Sequence, residues 1–258
     1  MVWTEITREQ YRRDGVRYAS DLNDAEWLVL SFFLPAPCHV GRPREVDLRI
    51  VINAILYVLS TGCQWRDQQL WRRINLALVR RAREAAGRNV VPSAGVIDSQ
   101  SVKTTESGGP RGFDAHKKIM GRKRHIVTDT QGFPLAVLVH AANIQDNHGA
   151  VPLLAALRQT FPKLRHVVAD RVYRGDKLRK AIAAFGRWSI EIVTPPRPRC
   201  GFKPLPKRWV IERTFAWLTR NRRLAKDFEQ SIASSQAWFL IASVRLLSRR
   251  LARAEQHG

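Results

Sequence analysis

Short β-rich runs alternate with helical segments in the middle of the chain, and this order restricts the possible fold more than any other feature of the sequence. The first three runs, at residues 95–98, 123–128 and 135–141, are separated by Gly and turn residues and predict a three-stranded meander. Later segments predict a helix at 149–160, a strand at 166–169, a helix at 176–185, a strand at 190–193 and basic helices after Pro206. The order βββαβαβα therefore predicts an α/β fold, with a mixed sheet flanked by helices.

The first third of the chain has a different periodicity, which is helical. Asn23 and Glu26 form a capping-box pattern ahead of apolar residues at helical spacing. Two further helices are predicted at 46–59 and at 70–86, and the second of these is amphipathic and basic. We therefore expect an all-helical unit ahead of the mixed sheet.

The charge of the chain narrows its partners. Its 258 residues include 44 Lys and Arg but only 22 Asp and Glu, which gives a formal net charge of +22. Because this excess is larger than solubility requires, we expect a polyanionic partner, either nucleic acid or an anionic membrane surface. The sequence has no run of about 18 apolar residues that could span a membrane, and its N-terminus has no apolar signal-peptide core. We therefore expect a cytoplasmic protein without a membrane partner.

Three acidic residues are candidates for catalysis. Asp98 lies in the first predicted strand, Asp170 ends the strand at 166–169, and Glu212 lies in the helix after Pro206. Carboxylate oxygens suit Mg²⁺ or Mn²⁺, and a two-metal site can activate a nucleophilic oxygen and stabilise the leaving oxygen of a phosphodiester. On spacing alone a structural role is the better interpretation, because an Asp at a strand end suits a turn and a Glu on a basic helix suits an ion pair.

Three segments resemble a known family. Residues 94–130 (AGVIDSQSVKTTESGGPRGFDAHKKIMGRKRHIVTDT) and 208–229 (RWVIERTFAWLTRNRRLAKDFE) resemble the catalytic regions of DDE transposases from bacterial insertion sequences, the insertion-sequence-five group. Residues 22–67, which contain LNDAEW, GRPR and AILYVLSTGCQWRD, are similar to the N-terminal signature of that family. The resemblance therefore covers nearly the whole chain, which is more than a short-motif accident.

The resemblance implies a fold, a reaction and partners. The implied fold is a ribonuclease H-like catalytic domain at 94–258, preceded by a helical DNA-binding unit at 1–90. In this family-based interpretation Asp98, Asp170 and Glu212 hold two Mg²⁺ or Mn²⁺ ions. The implied activity is that of a nucleoid-associated DNA transposase, which cuts double-stranded DNA at terminal inverted repeats with water and joins the freed 3′ hydroxyl to target DNA. A homo-oligomer that pairs two ends is the implied active form.

Basic and aromatic residues near the acids are candidates for DNA contact. We expect phosphate-neutralising charge on both sides of the acidic cluster, and the net charge of +22 disfavours the alternative of a merely solvated helix face. Trp209 and Trp217 are suited to stacking on bases, but aromatic residues at this helical spacing more often pack in a core. The basic candidates are Arg122, Lys123, Arg124, His125, Arg208, Arg220, Arg222, Arg223 and Lys226.

A further polar segment follows the third predicted strand. Asn143 and Asp146 match a family motif, which implies a position near the active site. The alternative is a helix cap, which these residue types favour slightly. His140 and His148 lack the spacing of metal ligands, and an oxygen-ligated site needs no histidine.

The chain departs from the family pattern in three places. The helical unit looks shortened after Asp67, where the family continues through a Pro-rich turn and a further helix. Small residues usually follow the second carboxylate, whereas Arg171 and Val172 follow it here, and a β-branched residue resists positive φ and close backbone approach. In the third motif Leu205 replaces a Tyr and Thr219 replaces a Lys. Two alternatives to an active transposase therefore stay open: a decayed transposase that only binds DNA, and a general RNA-binding protein.

Overall fold

Eight helices and a six-stranded sheet form the part of the chain that the structure describes. This computed structural model describes residues 18, 20–34, 47–61, 68–106, 108–194 and 207–257. The helices are α1 (Asp24–Ser31), α2 (Leu48–Thr61), α3 (Gln68–Ala85), α4 (Asp146–Thr160), α5 (Asp176–Ala183), α6 (Trp209–Thr219), α7 (Arg222–Ala225) and α8 (Ile232–His257). The strands are β1 (Ala94–Lys103), β2 (Gly112–Asp114), β3 (Ile119–Asp129), β4 (Pro134–Ala141), β5 (His166–Ala169) and β6 (Ser189–Ile192).

The sheet is mixed, which confirms the α/β class predicted from the order of elements. β3 pairs antiparallel with β1 along one edge, while β2 and β4 pair antiparallel with successive parts of its other edge. β5 pairs parallel with β1, and β6 pairs parallel with β5. β1 therefore lies in the middle of the sheet, between an antiparallel and a parallel neighbour.

Two strands are longer than predicted, because polar residues continue them. An antiparallel ladder joins residues 95–103 of β1 to residues 121–129 of β3. Ser99 and Ser101 continue β1 beyond its apolar start and are buried, as are residues 122–125 of β3. An apolar pattern does not reveal strand residues whose buried side chains are polar.

The helices of the first third share one apolar core with the sheet. α3 packs along α8, where Leu78 and Leu247 are completely buried. The Ser243 hydroxyl donates to Asn75 Oδ1 (2.6 Å), and Asn75 Nδ2 donates to the Pro134 carbonyl at the start of β4 (3.0 Å). The predicted helices are present, but their apolar residues belong to the same cluster as those of the sheet. None of the described helices is long and apolar enough to cross a membrane.

The first helix starts at the predicted capping box. The Glu26 amide donates to Asn23 Oδ1 (2.8 Å), and the Asn23 amide donates to Glu26 Oε2 (3.0 Å). The point at which the helical unit looks shortened falls in residues 62–67, which lie outside the described residues, and so does Leu205.

Two buried arginines of β3 hold the segment before α8 against the sheet. Arg122 Nη1 lies 3.0 Å from the Asp227 carboxylate, and both side chains are 0% exposed. Arg122 Nη2 also donates to the Gln230 carbonyl (2.9 Å), and Arg124 Nη1 donates to the Leu224 carbonyl (2.6 Å). Burial lowers the pKa of Arg124 to about 10. Because buried charges need partners, these contacts fix α8 relative to the sheet.

Breaking this buried ion pair is expected to destabilise the fold. Arg122→Met leaves Asp227 buried without its cation, so we expect the free energy of unfolding, measured by urea denaturation, to fall by about 3–5 kcal/mol. The double variant Arg122→Met/Asp227→Asn removes both charges and should recover a large part of this loss. A double variant as unstable as Arg122→Met would show that the loss has another cause.

Candidate active site

The pairing of β1 with β5 places two of the candidate acids side by side. The last parallel pair is Val96 with Val168, and Asp98 and Asp170 each lie two residues beyond it. Neighbouring strands are about 4.8 Å apart, and residues two positions apart share a face of the sheet. Both aspartates therefore reach the same height on the same face.

The third acid comes from α6, which packs against β1. Ile211 is buried under this helix, and the Thr214 hydroxyl donates to the Gly132 carbonyl in the turn after β3 (2.9 Å). Arg208 and Glu212 are four residues apart, so their side chains lie on one side of the helix. With α6 held in this way, that side faces the two aspartates.

Arg208 lies among the three carboxylates. Its Nη2 is 3.2 Å from Glu212 Oε1, 3.6 Å from Asp98 Oδ2 and 3.9 Å from Asp170 Oδ2. The structure thus brings the three predicted acids together around one guanidinium nitrogen. The structural interpretation predicts an ion pair of Glu212 with Arg208 or Arg220, and the pair with Arg208 is present, so both interpretations describe the same cluster.

Backbone amides orient the two aspartates. The Ser99 amide donates to Asp98 Oδ1 (2.7 Å), and the Val172 amide donates to Asp170 Oδ1 (3.0 Å). Burial raises the pKa of Asp98 to about 6, although the Ser99 amide and the Arg208 guanidinium lower it; the charge of Asp170 adds to the increase. Desolvation is therefore the main influence on the pKa of Asp98, and the neighbouring charges of Arg208 and Asp170 act on it in opposite directions.

A short 3₁₀ turn, Arg171–Tyr173, follows Asp170 and accommodates Val172. Lys118 and Lys207 are the described non-glycine residues with positive φ, so Val172 does not adopt the conformation that a β-branched side chain resists. Val172 is 49% exposed. This departure from the family pattern therefore leaves the position of Asp170 unstrained.

The cluster has the ligand chemistry of a divalent-cation site. Carboxylate oxygens are hard ligands that suit Mg²⁺ or Mn²⁺. Among the residues that the structure describes, no group of three or more His, Cys, Asp or Glu side chains is arranged so that it could hold a metal ion as it stands. In this cluster the guanidinium of Arg208 is the cation that the carboxylate oxygens face.

Asp146 belongs to a second polar cluster beside Asp98. The residue before α4 makes no side-chain cap bond, so the interpretation of this segment as a side-chain cap is wrong. Asp146 Oδ1 accepts a hydrogen bond from the Ser99 hydroxyl (2.8 Å) and lies 3.1 Å from Lys123 Nζ and 3.3 Å from His125 Nε2. Burial alone would raise the pKa of Asp146, but its close polar contacts with His125, Ser99 and Lys123 hold it well below its usual range. Ser99 links this cluster to its neighbour on β1, Asp98.

The basic run of β3 is buried, which corrects the expectation that it presents charge to DNA. Arg122, Lys123, Arg124 and His125 are at most 5% exposed. The arginines face the segment before α8, whereas Lys123 and His125 face Asp146. Because successive side chains of a strand point to opposite faces and both faces of β3 are covered, every member of the run is directed into the protein.

The basic residues after α6 are divided between surface and interior. Arg223 is buried and bonds to Glu229. Thr219, which stands where the family has a Lys, donates its hydroxyl to a carbonyl of its own helix (2.9 Å) and supplies no charge. The exposed members are Arg220, Arg222 and Lys226.

Trp209 and Trp217 lie outside the core, contrary to the favoured expectation. Trp209 is 42% exposed, and Trp217 is half-buried. The guanidinium of Arg213 lies between them, 4.2 Å from the centre of the Trp209 ring and 4.6 Å from that of Trp217. The spacing of four residues stacks the three side chains along one side of α6, where cation–π contacts hold them.

Replacing Asp146 by Asn should reduce stability in a pH-dependent way. The folded-state pKa of Asp146 is depressed, so its contribution is complete above its unfolded pKa near 3.9 and is lost as pH falls toward the folded value. We expect the free energy of unfolding of Asp146→Asn to be lower by about 2 kcal/mol at neutral pH, with the difference shrinking below about pH 4. Urea denaturation across this range measures it. A difference independent of pH would contradict the charge-based explanation.

Comparisons with known proteins point to one family. A family described as "Transposase DDE domain" matches residues 90–247, and a family described as "Putative transposase of IS4/5 family" matches residues 22–69. The chain is 35% identical over 169 residues to "Putative transposase for insertion sequence element IS402" of Burkholderia cepacia, and the matched region covers 62% of this chain and 77% of that protein. It is 30% identical over 134 residues to "Putative transposase for insertion sequence element IS6501" of Brucella ovis, which covers 50% of this chain and 100% of that protein. Because the first family spans more than half of the sequence, the chain belongs to the DDE transposases of bacterial insertion sequences.

Proposed function

We propose that this chain cleaves double-stranded DNA at the terminal inverted repeats of an insertion sequence and transfers the freed strand to target DNA. In this proposal Asp98, Asp170 and Glu212 are the ligands of two Mg²⁺ or Mn²⁺ ions. One observation carries it: three carboxylates from separate elements converge on one nitrogen of Arg208. Bound ions of this kind activate the attacking oxygen and stabilise the leaving oxygen of a phosphodiester.

The strand order supports a ribonuclease H-like catalytic domain at 94–258. Three antiparallel strands, β4, β3 and β1, are followed across the sheet by the parallel strands β5 and β6. α4 and α5 precede β5 and β6 in the chain, and α6 follows β6 with the third acid. This is the βββαβαβα order, with the short strand β2 added at the edge.

The residues of the cluster have different tasks in this proposal. Backbone amides hold Asp98 and Asp170, whereas the Glu212 side chain is 49% exposed and has room to adjust its position when it binds a cation. In the metal-free chain, the positive charge of Arg208 partly compensates the negative charge of the three carboxylates. With the carboxylates neutralised, the Arg208 guanidinium would be available to bind a phosphate through paired charge-assisted hydrogen bonds.

Exposed cations support DNA as the partner. Arg220, Arg222 and Lys226 lie just beyond the helix that carries Glu212. We propose that residues 1–90 recognise the element ends, because α3 also presents exposed cations to solvent. These are Arg72, Arg73 and Arg80. The homo-oligomer that would pair two ends stays a prediction.

Removing any one carboxylate should abolish cleavage. Asp98→Asn, Asp170→Asn and Glu212→Gln keep the size of the side chain but remove a charged ligand. We therefore expect nicking of a supercoiled plasmid that bears the element ends, measured in Mg²⁺ or Mn²⁺, to fall by about a hundredfold or more. The matched control is Asp176→Asn on α5, which removes a largely exposed carboxylate outside the cluster and should leave cleavage unchanged.

Binding measured in EDTA separates the possible outcomes. All four variants should still bind the same DNA, because the exposed cations are unchanged. If the unmodified chain binds element ends but cuts them with neither cation, the chain is a DNA-binding protein that has lost catalysis. A preference for structured RNA over inverted-repeat DNA would contradict both functions.

A further inference from the structure

A positively charged surface, separate from the acidic cluster, lies between α6 and α8. A groove of about 450 Å³ opens there around Trp217. Arginines line it from the end of α6 and from α8, and in the described part of the chain no acidic residue lines it. We refer to this surface as the arginine groove. Its arginines are Arg220, Arg245, Arg249, Arg250 and Arg253.

Three of these arginines form a row on α8. Arg245, Arg249 and Arg253 are spaced by four residues, so they share one face and rise by about 6 Å from one to the next. Arg245 Nη1 donates to Asn221 Oδ1 (2.9 Å), and Arg249 Nε lies 3.4 Å from Glu26 Oε1. These contacts hold the side chains in place, and Arg253 is exposed. The row therefore holds three preorganised guanidinium groups over about 12 Å, and the charge of one of them, Arg249, is partly offset by Glu26.

Aromatic rings fix further guanidinium groups beside the row. Arg250 and Arg213 lie over the Trp217 ring, at 5.1 Å and 4.6 Å from its centre, and Arg250 also lies 5.1 Å from the centre of the Phe133 ring. Burial is the main cause that lowers the pKa of Arg250, and the nearby positive charge of Arg213 lowers it further. An arginine keeps its charge at neutral pH even so. The groove therefore concentrates charge that a polyanion would compensate.

α6 connects the arginine groove to the acidic cluster. Glu212 lies in its first turn and Arg220 follows its last residue, a distance of about 12 Å along the helix axis. Each DNA strand carries one phosphate per about 3.4 Å of duplex axis. A duplex lying along α6 with one phosphate at the carboxylates would therefore reach the groove about three to four base pairs away.

We propose that the arginine groove binds the phosphodiester backbone of duplex DNA beside the cleavage point. This deepens the proposed function and rests on it, because the DNA cut at the carboxylates is the DNA assigned to the groove. An anionic membrane surface fits less well, since it requires exposed apolar side chains beside the cations. Trp217 and Leu246, the large apolar residues that line the groove, are only half-buried, but Leu247 and Leu251 beside the row are buried and no large apolar side chain among the described residues of the groove is fully exposed.

The salt dependence of DNA binding tests this proposal. The full chain is titrated with a short duplex DNA in EDTA between about 50 and 200 mM salt. Arg249→Gln/Arg253→Gln removes two phosphate contacts, so the slope of log K against log salt should become shallower by about 1.8. The matched control, Arg179→Gln/Lys180→Gln, removes the same charge from exposed positions on α5 and should keep the slope of the unmodified chain.

Two further variants keep the test decisive. Arg249→Lys/Arg253→Lys retains both charges and should retain the slope. If circular dichroism shows that the Gln pair does not fold, Arg253→Gln alone should make the slope shallower by about 0.9. An unchanged slope in folded variants, or a change seen with duplex RNA but not with DNA, overturns the proposal. Because EDTA prevents cleavage, the binding titration does not depend on catalysis. If the Gln variants give a shallower slope but the carboxylate variants still cut DNA, only the proposed function is overturned.

Discussion

The parallel pairing of β1 with β5 is the constraint on which the candidate active site depends. Since Val96 pairs with Val168, Asp98 and Asp170 reach the same height on one face of the sheet. A slip of one residue would turn one aspartate to the opposite face and separate the two carboxylates. α6 then has only to pack against β1 for Glu212 to join them. The site is therefore a consequence of sheet register and helix packing rather than of a local motif.

Charge compensation connects this site to the rest of the molecule. Arg208 offsets carboxylates that would otherwise repel one another, and Arg122 and Arg124 are buried among acceptors from the segment before α8. Those buried cations fix α8, and α8 carries the row of the arginine groove, in which Arg245 and Arg249 are half-buried and Arg253 is exposed. The net charge of +22 is thus divided between cations that hold the fold together and cations that are available to a polyanion.

Most helices and strands could be predicted from the sequence, because apolar periodicity marks them, whereas the short strand β2 and the polar ends of β1 and β3 could not. The family resemblance selected the three acids that the structure brings together around Arg208. The inward orientation of the basic side chains of β3 could not be predicted from the sequence, because Arg122 is paired with Asp227, which is distant in sequence. Burial of Asp146 beside Ser99 and Lys123 likewise depends on three elements meeting. The stacking of Arg213 between Trp209 and Trp217 could be predicted from the sequence, because the three residues are four positions apart and share one side of α6.

Mn²⁺ binding tests most directly whether Asp98, Asp170 and Glu212 form one divalent-cation site. Electron paramagnetic resonance of free Mn²⁺ can compare the unmodified chain with Asp170→Asn and Arg208→Gln. We predict that Asp170→Asn weakens Mn²⁺ binding by about tenfold or more, and that Arg208→Gln strengthens it because the guanidinium no longer competes for the carboxylates. Equal Mn²⁺ binding by all three chains would contradict the assignment of these carboxylates to a metal site.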